Sequence, residues 1–117
     1  MTIVAELTGV KGVFAAGEYS YRGDRFSYRG ELDEEQARMA SIMCRATTMG
    51  VHMQADILSS YCDDCAFSPA RGWIVRGPAF TVCAMANVFC FMESATGSVN
   101  EVMGLMYKRL SDAEALV

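Results

Sequence analysis

Between Asp33 and about Ser60 small and apolar residues recur at spacings of four and three: Met39, Met43, Ala46, Gly50, Met53 and Ile57. Such a run draws one continuous seam along a helix, with the spacing that coiled coils use. A second seam starts one residue later, at Ala40, Thr47, Val51, Gln54 and Leu58, and is partly polar. The helix start is marked by Asp33-Glu34-Glu35-Gln36, a capping box in which the Asp carboxylate accepts from the first turn and Gln36 reaches back to the cap. Two seams on one helix need two surfaces to bury them, and a chain of 117 residues supplies one sheet. A second copy of the chain is the expected other surface.

The flanking segments read as strands. Thr2 to Leu7 is a short helix, ended by Thr8 and Gly9. Val10 to Tyr19 is a first strand, loosened at Gly12 and Gly17, where another backbone is expected to come close. Arg22-Gly23-Asp24 follows, flanked by Tyr19, Tyr21, Phe26 and Tyr28. Gly and Asp tolerate the positive φ of a tight hairpin, so the second strand starts just after them and closes at Gly30. Two carboxylates in Tyr61-Cys62-Asp63-Asp64-Cys65 oppose the negative end of the helix dipole, so the long helix stops there. Phe67 to Pro69 is a connector. Gly72 to Gly77, Ala79 to Met85 and Val88 to Met92 form a three-strand meander, with a turn expected at Ala86-Asn87 because Asn tolerates left-handed geometry. The last two strands are apolar without alternation, so both faces are covered there. Ser98-Val99-Asn100-Glu101 is a second capping box, opening a final helix with Val102, Leu105, Met106 and Leu110 on its apolar side. The tail at 111–117 is expected to fray.

The order is helix, two strands, long helix, three strands, helix. With Gly9-Val10-Lys11-Gly12-Val13, Gly30-Glu31-Leu32-Asp33-Glu34-Glu35 and Gly72-Trp73-Ile74-Val75, it resembles the roadblock family of dynein light chains, in a prokaryotic branch of short roadblock-like proteins. The resemblance covers nearly the whole chain, 1–117, as one domain. It implies an α+β sandwich: a five-stranded antiparallel sheet, the long helix on one face and the terminal helices on the other. It also implies a non-enzymatic homodimer paired through the long helix and the third strand. Met39, Met43, Ala46, Gly50, Met53, Ile57 and Trp73 would form that interface, and the dimer would serve as a platform for a small GTPase or a larger assembly. Some similar short proteins stand beside sulfur-metabolising enzymes, which makes a redox enzyme complex a second kind of partner.

Composition narrows the field. Apolar residues make up 52% of the chain and nine are Met, a residue suited to adaptable contacts. A net charge of −4 argues against nucleic acid, whose phosphates require a basic surface. No apolar run reaches the roughly 18 residues of a membrane span, and Met1 to Glu6 lacks the basic and apolar regions of a signal peptide. A cytoplasmic location is expected, and with it free thiols among the five cysteines. This also sets aside the adhesion reading of Arg22-Gly23-Asp24.

Candidate chemistry is sparse. Cys62 and Cys65 make one Cys-x-x-Cys pair, the basis of an alternative reading as a redox- or metal-linked accessory protein. At a helix C-terminus beside two carboxylates the thiolate is disfavoured, and one pair supplies two of the four ligands that zinc needs. A reversible disulfide or plain thiols remain for it, and no cofactor is expected. His52 is the sole histidine, so one chain holds no Ser-His-Asp or Cys-His arrangement. Glu34 and Glu35 point in different directions on the helix and suit its N-terminal dipole. No glycine loop of phosphate-cradling form occurs. Arg22, Arg25 and Tyr28, around the first hairpin, are of types enriched at interaction hot spots and are candidates for partner contact. A third reading, a small ligand sensor, finds little room between the long helix and the filled fourth and fifth strands.

Overall fold

The computed structural model describes residues 2–62, 64 and 70–110. Its elements are α1 (Ile3–Thr8), β1 (Val13–Tyr19), β2 (Phe26–Gly30), α2 (Glu34–Tyr61), β3 (Gly72–Arg76), β4 (Phe80–Met85), β5 (Val88–Glu93) and α3 (Val99–Leu110). The five strands form one antiparallel sheet in the order β2-β1-β5-β4-β3, so β2 and β3 are its edges. This is the expected α-β-β-α-β-β-β-α plan. The expected tail at 111–117 and the connector around Phe67 to Pro69 lie outside the described residues.

Alternation along the strands creates two cores. On one face Val4 and Leu7 of α1 and Val102 and Met106 of α3 pack on Ala16, Cys83, Cys90 and Met92. On the other, Ala40 and Cys44 of α2 pack on Tyr19, Ala84 and Phe89. Val82–Met85 of β4 and Val88–Met92 of β5 are covered on both faces, as their unbroken apolar runs predict, whereas Phe80 at the start of β4 is exposed.

Caps and turns set the ends of these elements. Gln36 N–H donates to Asp33 Oδ1 at 2.7 Å and Asp33 N–H to Gln36 Oε1 at 3.0 Å, which completes the capping box of α2. At α3 the observed cap bond is Glu101 N–H to Ser98 Oγ at 3.2 Å. Gly12 has φ +89° and lies so close to the Gly97 backbone that a Cβ would stand 2.6 Å from it. The glycine is therefore needed twice over.

Three expectations need correction. The first strand begins at Val13 rather than Val10, because Val10 N–H bonds back to Leu7 O and the chain turns before it pairs. The β4–β5 turn places the left-handed residue at Ala86, with φ 54°, and not at Asn87. Asn87 instead spends its side chain on the sheet, Nδ2 donating to Tyr19 O at 2.7 Å. The sheet covers the second helical seam only in part: Ala40 is buried and Thr47 and Val51 half-buried, whereas Gln54 and Leu58 are exposed, and the buried row of α2 is Ala37, Ala40, Ser41, Cys44 and Ala55. Small side chains let the helix axis approach the sheet, and that closeness outweighs their low hydrophobicity.

Candidate functional site

Helix α2 is joined to the sheet by a polar knot. Trp73 Nε1 donates to Thr48 Oγ1 at 2.8 Å, and the Tyr19 hydroxyl lies 3.3 Å from both Thr48 Oγ1 and Ala86 O. Burial pushes the Tyr19 phenol above its ordinary range. Trp73 is half-buried in the core beneath α2, which makes it an anchor of the helix within one chain.

The outward side of the same helix carries its large apolar residues. Met39, Met43, Met53 and Ile57 are 47–64% exposed, and Ala46 between them is also exposed. At Gly50 a Cβ would meet nothing within 4 Å. The first seam is thus a continuous apolar stripe facing away from the protein's own sheet. From Met39 to Ile57 it runs about 27 Å, at 1.5 Å per residue.

The sheet adds a second component that sequence reading did not single out. Phe14, Phe80 and Phe91 form an aromatic cluster, with ring centroids 5.3 Å apart for Phe14–Phe80 and 6.2 Å for Phe14–Phe91. Phe91 also packs edge-on to Phe89 at 5.9 Å, which places the cluster on the α2 side of the sheet. Yet Phe80 is 58% exposed, and so is Val75 at 55% on edge strand β3. The helix leaves this part of its own face of the sheet open. Exposed apolar surface of this kind, on the helix and on the sheet, is a candidate for contact with another molecule. The signal in the sequence was the even-numbered apolar set Phe80, Val82 and Ala84, but it is indistinguishable there from core.

The hairpin residues are arranged differently. Gly23, at φ +82°, lets the loop close, with Ser20 N–H on Arg25 O at 2.9 Å and Gly23 N–H on Ser20 O at 2.8 Å. Arg22 and Arg25 are exposed, and Tyr28 is half-buried and stacked on Phe26 at 6.3 Å. The loop is tied to α2 by Arg45 Nε, which donates to Tyr21 O at 2.9 Å.

The cysteines separate into two groups. Cys44, Cys83 and Cys90 are buried free thiols. Burial pushes Cys44 up to about 12, and the bond to Cys83 together with burial pushes Cys90 up as well, so both stay protonated and unreactive at neutral pH. Cys62, at the C-cap of α2, is disulfide-bonded, where the sequence left a reversible disulfide or a plain thiol open. Cys65 lies outside the described residues. Among the described residues no group of three or more His, Cys, Asp or Glu side chains could hold a metal ion. Among them, too, no helix is long and apolar enough to cross a membrane. His52 is exposed on α2.

Comparison with solved structures places this geometry. The chain superimposes on a Roadblock/LC7 domain from Streptomyces avermitilis with a TM-score of 0.62 and 14% sequence identity, over 93% of this chain and 92% of that one. At that identity the likeness establishes the fold, which is that of a roadblock domain. No curated protein matches the chain. The family model that does match covers residues 3–108, and the chain belongs to the family described as "Uncharacterized conserved protein (DUF2173)".

Proposed function

We propose that this protein is a non-enzymatic, self-associating interaction module, a prokaryotic roadblock-like homodimer that presents a surface to a protein partner such as a small GTPase or a larger complex. The stripe Met39, Met43, Met53 and Ile57, about half exposed in one chain, is the observation that carries the reading. The occupant it fits best is a second copy. Laid antiparallel on itself, the stripe sets Met39 against Ile57, Met43 against Met53 and Ala46 against Gly50, so large residues meet at the ends and small ones where the axes cross. The open Phe14–Phe80–Phe91 patch would receive the flank of the partner's helix, and the free edge of β3 would extend the sheet across the pair.

Size-exclusion chromatography with light scattering tests this directly. Wild type should run at twice the 12.8 kDa of one chain. Met53→Glu should run as a folded monomer, since Met53 is 64% exposed and its replacement leaves the core of one chain untouched. A wild-type monomer at micromolar concentration would refute the reading.

A second reading, a redox-linked accessory protein acting through Cys62 and Cys65, is favoured by the disulfide at Cys62. Thiol counting on denatured protein purified without reductant should give three of the five cysteines, and all five after reduction. Five before reduction would end it. Elemental analysis on the same sample addresses metal.

A further inference from the structure

We infer that the cavity between the β1–β2 hairpin and α2 binds a small anion bearing a phosphate or carboxylate group. The cavity is about 200 Å³, and three arginines line it: Arg25 from the hairpin, and Arg38 and Arg45 from α2. On the helix, Arg38, Ser41, Ile42 and Arg45 stand at i, i+3, i+4 and i+7, which is one face, turned toward the hairpin. The size is below the roughly 300–1,000 Å³ of pockets for drug-sized molecules, so the occupant is small.

Among the residues that line the cavity, with the ion-pair partner of Arg38, the charge balance is positive. Arg38 carries its own counter-ion, Glu35, at 2.6 Å. Asp24 also lines the cavity, and the Ser20 hydroxyl on its carboxylate at 2.7 Å holds its pKa down, so it is ionised. Arg25 and Arg45 against Asp24 leave one net positive charge at the cavity, on a protein whose overall charge is −4. A mobile anion is therefore drawn to this spot against the general field.

Arg45 is also held in place. It donates through Nε to Tyr21 O at 2.9 Å, a bond that orients the guanidinium against the hairpin and does not use its terminal nitrogens. Gly23 lies directly against that group: a Cβ there would stand 3.1 Å from Arg45 Nε and 3.2 Å from Cζ. Any other residue at 23 would be strained at φ +82° and would push on the arginine. Loop and helix thus fit each other around one guanidinium. Charge-assisted, bidentate bonds from such a group select phosphate or carboxylate oxygens.

The test is a titration of the ¹⁵N-labelled full chain at constant ionic strength, one arm with inorganic phosphate and one with succinate, each to about 20 mM, which suffices for millimolar affinity. Saturable shifts at the amides of Gly23, Arg25, Ser41 and Arg45 are expected, and the arm that saturates first identifies the group preferred. Arg25→Ala and Arg45→Ala should each weaken binding about tenfold, the loss of one charge-assisted contact. Arg71→Ala, which removes a guanidinium stacked on Tyr107, should leave binding unchanged. Should Arg45→Ala loosen the hairpin, Arg25→Ala, at an exposed position, still decides the matter. Shifts that stay linear with both anions, or affinity unchanged in the Arg25→Ala variant, would overturn the inference. Light scattering on the same samples reads self-association separately, so failure of either proposal is distinguishable from failure of the other.

Discussion

Gly50 offers the sharpest test of what the outer side of α2 does, because its own chain makes no demand on it. A Cβ at Gly50 meets nothing within 4 Å, and the same holds at Gly104 in α3. In a helix facing only solvent, Gly→Ala gains about 0.8–1 kcal/mol from reduced chain entropy and better helix propensity. Gly104→Ala should show this gain as a rise in melting temperature of roughly 3–6 °C for a chain of this size. If Gly50 sits where two helices cross, its substitution has the opposite effect. Gly50→Leu inserts a large side chain into a close contact, at a cost of about 1–3 kcal/mol for overpacking. A symmetric pair carries the change twice, so association weakens by about 2–6 kcal/mol, roughly 30-fold to 10⁴-fold in Kd. Sedimentation equilibrium of both variants measures this, with the melting temperature followed against protein concentration. If Gly50→Leu leaves the association constant at its wild-type value, and Gly50→Ala stabilises as Gly104→Ala does, Gly50 faces solvent and the helix-paired dimer is wrong.

Three other outcomes follow from the fold. Thr48→Val removes the acceptor shared by the Trp73 indole and the Tyr19 hydroxyl and should cost about 1–3 kcal/mol in urea denaturation, since the indole loses its partner while Tyr19 keeps Ala86 O. Ala86→Gly relieves a left-handed conformation and should stabilise by about 0.5–1 kcal/mol, the αL penalty less the extra entropy of glycine. Stability should be flat to about pH 9 and then decline toward pH 12. Burial raises the Cys44 thiol from 9.0 to about 12, so the unfolded chain loses its proton first and alkaline pH favours unfolding; Tyr19, raised by burial, adds to the decline above pH 10. Cys90, also pushed up, contributes to the same decline, so Cys44→Ala should make the slope above pH 9 shallower without abolishing it, and an unchanged slope would refute the assignment.

The order and type of elements were legible in the chain because each is written in local terms. The capping box Asp33–Gln36, the Arg22-Gly23-Asp24 turn and the non-alternating strands Val82–Met85 and Val88–Met92 state where chains start, reverse and bury both faces, and the structure agrees at each. The seam from Met39 to Ile57 was legible too, as one apolar face of the helix. What periodicity could not say was which stripe meets the protein's own sheet. It favours large residues, whereas the sheet selected Ala37, Ala40, Ser41, Cys44 and Ala55 for closeness. The turn residue Ala86 was likewise decided by Asn87, whose side chain satisfies Tyr19 O on a distant strand. The grouping of Arg25 with Arg38 and Arg45, and of Phe14 with Phe80 and Phe91, joins residues far apart in the chain. Spacing along a sequence reports which side chains share a face. Only the packing of one element on another determines what that face meets, because contact depends on distances set by every other residue in the fold.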